Sequence, residues 1–137
     1  MHSKFKLLIL MTSLLGALAV LMGAFGSHYL AERLAPKSLS AFKTGVQYQF
    51  YHTLALFCTA LLYRTYRIKG LFYIGLYFIA GIVLFSGSLY LLSLKSLMGI
   101  NFPKAIGLLT PLGGLVLIGA WMAIFFTVIK IKSTNSN

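Results

Sequence analysis

The sequence predicts an all-α, polytopic membrane protein: an antiparallel bundle of four transmembrane helices, with a short interfacial helix between spans 1 and 2. Three observations carry this expectation. The 137 residues are 59% hydrophobic and only 9% charged, with a mean hydropathy of +0.89. Four apolar stretches approach or exceed the roughly 18–20 residues that cross a bilayer. The Lys and Arg residues flank those stretches. A water-soluble four-helix core would need polar outer faces, and residues 71–92 offer only serines and the tips of tyrosines.

The spans fall at about 7–27, 46–63, 71–94 and 105–129, with connections and tails short enough to leave one integral domain over 1–137. Lys4 and Lys6 precede the first span, and Ala17-Leu18-Ala19 imitates a signal-cleavage site. The apolar run continues past that site to Phe25, so a retained helix is expected. Gly16, Gly23 and Ser27, spaced seven and four, form a seam of small residues suited to close packing, with Gly26 beside it in GAFGSH.

The first connection places Leu30 and Leu34 before Pro36, then Leu39 and Phe42. Proline fits the first turn of a helix and breaks an interior one. The pattern therefore predicts a turn near Pro36 and a helix restarting close to Ser38. Its start would lie in the headgroup layer, with Leu39 and Phe42 facing acyl chains. Glu32, the only acidic residue, precedes Arg33, and a surface ion pair is expected there.

The second span opens as GVQYQFYHTLALF. Tyr48 and His52 are four apart and Gln49 and His52 three apart, which puts all three on one helix face with Gly45. That face is predicted to point inward. Two explanations compete. The polar groups bond across to neighbouring helices and fix the bundle, or His52 lines a water-accessible pocket and binds or relays a proton. The first asks less of the sequence. Cys58 reads as a small packing residue.

The third span offers Ser86, Tyr90 and Ser93 on one side as partners, with Ser88 on another. Gly70 in RTYRIKG is available for a tight turn before it, and Gly99, Asn101 and Pro103 supply turn residues after it. The fourth span carries Thr110, Pro111, Gly113 and Gly114, which predict a kinked helix packed closely on a neighbour. Thr110 completes the inward set of Tyr48, Gln49, His52, Ser86 and Tyr90.

Composition also excludes classes of function. The net charge of +11 sits at span ends, with no aromatic-and-basic stripe for nucleic acid; it suits anionic lipid headgroups. No carboxylate lies within a span, and no aspartate exists to complete a Ser–His–Asp arrangement. Divalent-metal sites want several carboxylates or thiolates. No cofactor and no enzymatic activity are expected. Lys4, Lys6, Arg64, Arg67, Lys69, Lys130 and Lys132 would share one side, against Arg33, Lys37, Lys43, Lys95 and Lys104. Seven against five favours cytoplasmic termini. The expected surroundings are the lipid bilayer and its headgroups, and a homo-oligomer is compatible with four such helices.

Four segments carry a resemblance: MGAFGSHYL at 22–30, TGVQYQFYHTLAL at 44–56, LFSGSLYLLSL at 84–94 and TPLGGLVLIGAW at 110–121. Together they resemble the YgdD/YwdK-like family of small, uncharacterised bacterial inner-membrane proteins, which has a eukaryotic transmembrane relative. The resemblance covers residues 10–128 and implies a four-helix protein of the plasma membrane with no established activity. Its signature falls on Gly23–Gly26, His28, Gln47–Gln49, His52, Ser86–Tyr90, Thr110, Pro111, Gly113, Gly114 and Trp121. The chain departs from it at Ser27 and Tyr29, and in a longer, more basic third loop. The leading functional expectation is a non-enzymatic protein of structural, scaffolding or stress-related type; the competing one is a small transporter or channel component using the polar cluster.

Overall fold

The computed structural model describes residues 2–103 and 105–134. Lys104, expected to flank the third connection, the side chains of 131–134 (Lys132 among them) and the tail from 135 onward lie outside the described residues. The regular elements among the described residues are all α-helical: α1 His2–His28, α2 Pro36–Tyr66, α3 Lys69–Met98 and α4 Ile106–Thr134. Helices of 27 to 31 residues run about 40–46 Å. That exceeds a hydrocarbon core of roughly 30 Å and carries the basic helix ends into the headgroup layers.

α1, α3 and α4 are long and apolar enough to cross a membrane. α2 is just as long but the least apolar of the four, and it packs between α1 and α3; α4 packs on the other side of α3. The surface is inverted relative to a water-soluble fold. Leu14, Val20, Leu115 and Ile118 are more than half exposed, while Gln49, Thr59, Ser86 and Ser93 are buried. Only a lipid solvent rewards that arrangement.

The inward face of α2 follows a strict rhythm. Phe42, Gly45, Gln49, His52, Leu56, Thr59 and Tyr63 alternate by three and four residues, and all are buried. A mean spacing of 3.5 is the seam of antiparallel helices coiled gently about each other. α1 answers with small residues: Gly16 faces the Thr53 methyl, Gly23 faces Val46 and Gly26 faces Phe42. Ala19 is buried between them. Gly26, rather than the predicted Ser27, completes this seam, and Ser27 is exposed. α3 and α4 hold one antiparallel register, with Gly81 against Leu117, Gly113 against the Phe85 backbone and Ser88 against Thr110.

Two apolar clusters fill the ends of the bundle. One gathers Leu8, Leu56, Tyr63, Leu71, Phe78, Ile82 and Leu117. The other gathers Leu30, Leu34 and Phe42, with Met22, Val46 and Leu94 around them. Buried polar side chains of α2 and α3 lie between.

The connections differ from expectation in four places. The interfacial helix is not a separate element: α2 begins at Pro36 itself, and the predicted segment is its first two turns. Phe42 does not face lipid. Gly26 lets α1 approach closely, and the Phe42 ring fills the space, within 2.9 Å of where a Cβ would stand. Gly70 lies inside α3, and Arg67 makes the turn instead, at φ 57°, its N–H donating to the Tyr63 carbonyl. Gly99 does behave as a turn glycine, capping α3 at φ 63° where a side chain would be strained. Arg33 does not pair with Glu32. Its guanidinium stacks 3.8 Å from the Tyr29 ring centre and donates to the Tyr29 carbonyl. α4 continues unbroken through Pro111, whose missing bond falls in the second turn, where little of the helix depends on it.

The backbone contact at Gly113 generates a prediction. Gly113→Ala drives a methyl into the Phe85 main chain and lowers stability by about 1–3 kcal/mol. Gly119→Ala, with nothing within 4 Å of its Cβ position, stays within about 0.5 kcal/mol. Denaturant midpoints in detergent, followed by circular dichroism, measure both; equal midpoints would mean that α3 and α4 do not meet there.

Candidate functional site

The residues expected to form one polar cluster fall into three separate arrangements, with Ser86 in none of them. The first centres on Gln49, which is 4% exposed. Its Nε2 donates to the main-chain carbonyl of Leu15 at 2.8 Å, and its Oε1 accepts from the Tyr90 hydroxyl at 2.8 Å. The carbonyl can only accept, so this network also fixes which way the amide points. One side chain thereby ties α1, α2 and α3 together, and Leu15 is halfway along α1. Gly45 makes the geometry possible. The Tyr90 ring passes 2.9 Å from where a Gly45 Cβ would be, tilted against Phe42 at 4.9 Å between centroids.

The second arrangement surrounds His52, which is 8% exposed. Its Nδ1 is 2.7 Å from the Tyr48 carbonyl, an acceptor, so Nδ1 carries a proton and Nε2 is the free position in the neutral ring. Nε2 has no hydrogen-bond partner among the described residues. Phe78 lies 6.1 Å away and Trp121 presents its edge at 6.4 Å. The ring borders a crevice of about 300 Å³ between α2, α3 and α4, lined also by Tyr48, Phe85, Gly114 and Leu117. Tyr48 does not point inward as predicted. It is 40% exposed, one residue off the Gly45–Gln49–His52 seam, and it stacks on Phe85 at 4.7 Å.

The third arrangement joins α3 to α4. Ser88 and Thr110 hydroxyls meet at 2.6 Å, and Ser88 donates onward to the Phe85 carbonyl at 2.9 Å. Thr110 thus partners Ser88, the serine read as facing elsewhere, rather than the His52 group. Ser86 and Ser93 are enclosed, and their hydroxyls find no partner among the described residues. Thr53 and Thr59 donate back to the carbonyls of Gln49 and Ala55, four residues earlier, as hydroxyls in apolar surroundings do.

Sequence reasoning missed the aromatic enclosure of His52 by Phe78, Phe85 and Trp121, because those rings come from two other helices. It also missed the Leu15 carbonyl, since a main-chain acceptor carries no residue-type signal. Gly75 and Gly81, which receive Leu8 and Leu117, were readable as small residues in an apolar span. Among the described residues, no three of His, Cys, Asp and Glu gather as a metal site requires.

Fold and site together define a small helical membrane protein with an apolar exterior and a polar middle layer. The family model described as "Protein of unknown function (DUF423)" matches residues 22–114. The chain is 40% identical over 126 residues to the UPF0382 membrane protein YwdK of Bacillus subtilis, covering 91% of this chain and 98% of that one. It is 35% identical over 133 residues to the UPF0382 inner membrane protein YgdD of Escherichia coli, covering 96% and 95%. A Staphylococcus saprophyticus relative, also a UPF0382 membrane protein, is 36% identical over 126 residues, covering 92% and 99%. This chain belongs to that family of uncharacterised membrane proteins. No solved structure matches it.

The Gln49 bridge predicts a measurable coupling. In a double-mutant cycle of Gln49→Leu and Tyr90→Phe, unfolding in detergent should show an interaction of about 0.6–1.7 kcal/mol. Ser86→Ala removes a buried hydroxyl with no partner among the described residues and should be neutral or stabilising. An additive cycle, or Ser86→Ala costing more than Gln49→Leu, would contradict these assignments.

Proposed function

We propose that this protein is a non-enzymatic, integral inner-membrane protein of structural or scaffolding type, and that its buried polar residues serve to hold the helices in register. The observation that carries this reading is the Gln49 amide, whose two ends are both engaged by other helices. At 4% exposure and with each end held by another helix, that amide is committed to bundle contacts. The inner-membrane placement rests on the printed name of the YgdD relative. The orientation with cytoplasmic termini rests on the seven-to-five distribution of Lys and Arg.

A second reading, a small transporter or channel component, is favoured by one specific observation. Among the described residues the His52 Nε2 has no partner, and its ring borders a crevice. Water access at that position separates the two. In a Cys58→Ser background, His52→Cys should resist small hydrophilic thiol reagents, and His52→Leu should remain folded. Rapid modification from one side of the membrane would instead support a translocation route.

A further inference from the structure

A second feature of the molecule is untouched by the polar layer. Between the last half of α1 and the first half of α2 runs an open groove of about 780 Å³, larger than the crevice beside His52. Along α2 the lining runs from Pro36 to Tyr51, about 22 Å at 1.5 Å per residue. One leaflet with its headgroup layer has that same thickness, roughly 20–22 Å. The groove is thus about as long as one leaflet is thick, and it opens beside the α1–α2 connection.

Its polar groups are concentrated toward one end. Ser27, Ser40, Lys43, Thr44 and Gln47 line the part nearer the α1–α2 connection, interleaved with Leu39 and Phe42, and the far end is lined by Val20, Phe50 and Tyr51. Gly23 keeps the floor open, with only Val46 near its Cβ position, at 3.5 Å. A polar, cationic end followed by an apolar one is the order of headgroup and acyl chain in a glycerophospholipid. Lys43 faces no carboxylate in the groove, and Glu32 is the only acidic residue of the chain.

We infer that this groove is a binding site for one anionic glycerophospholipid, with its phosphate on Lys43 and the Ser27 and Ser40 hydroxyls, its ester region at Gln47 and an acyl chain against Val20 and Phe50. A second copy of the chain is disfavoured as the occupant, because a two-fold contact here would set two cationic grooves against each other with no carboxylate in either lining. The inference does not rest on the Gln49 bridge, which lies on the buried face of α2, although Phe42 of that face also borders the groove.

Native mass spectrometry of the full chain, released from detergent with added phosphatidylglycerol or phosphatidylcholine, tests it. The expected result is one retained phosphatidylglycerol per chain, in preference to phosphatidylcholine. Lys43→Gln should weaken retention about five-fold, the equivalent of the roughly 1 kcal/mol of one basic residue at an anionic surface. Gly23→Leu should fill the floor and abolish retention, with circular dichroism confirming the fold. Lys95→Gln, an exposed charge at the same end of the bundle, should change nothing. Equal weakening by Lys43→Gln and Lys95→Gln would overturn the site in favour of diffuse attraction. So would equal retention of the two lipids, or a dimer that dissociates on Gly23→Leu without loss of lipid.

Discussion

A carboxamide in hydrocarbon has no solvent to fall back on, and that constraint organises this molecule. Leaving the buried Gln49 unsatisfied would cost several kcal/mol. Its two ends can be engaged only if the Leu15 carbonyl of α1 and the Tyr90 hydroxyl of α3 arrive together. Sliding or rotating either neighbour by one residue breaks a bond that nothing replaces. The net gain of the bridge is small, since interhelical bonds in membranes average about 0.6 kcal/mol. Its larger consequence is the penalty it sets on wrong registers.

Packing repeats the same instruction in apolar terms. The glycines of α1 take the side chains Phe42, Val46 and Thr53 in an order that permits one antiparallel register. Gly45 leaves room for the ring that delivers the Tyr90 hydroxyl. On the far side, Gly81 and Gly113 bring α3 and α4 within backbone contact, and the Ser88–Thr110 bond falls in that same register. Between helices in lipid there is no hydrophobic drive, so close van der Waals approach and a few polar pairs must provide specificity. Here the two agree at each interface.

The least apolar helix, α2, is placed where its polarity is harmless or useful. Its buried seam carries Gln49, His52 and Thr59 to protein partners. Its opposite flank carries Lys43, Thr44 and Gln47 to the groove beside α1. His52 is the exception. One nitrogen is satisfied locally, and the ring borders an aromatic-walled crevice. That makes it the residue at which packing and chemistry remain closest to each other.

Hydropathy and length alone determined the helical class, the approximate helix limits and the basic ends, because lipid imposes these on any chain that enters it. Residue spacing also determined that Gly45, Gln49 and His52 share an inward face, since 3.5-residue periodicity is a local property. The sequence could not say that Tyr48 sits on the shoulder of that face, or that Phe42 is buried, because both depend on how closely α1 and α3 approach. Nor could it divide the polar cluster into three. Thr110 meets Ser88 rather than His52, and Gln49 bonds a main-chain carbonyl with no side-chain signature, through the relative placement of helices far apart in the chain. Local pattern decides what a helix presents; only tertiary packing decides what it meets.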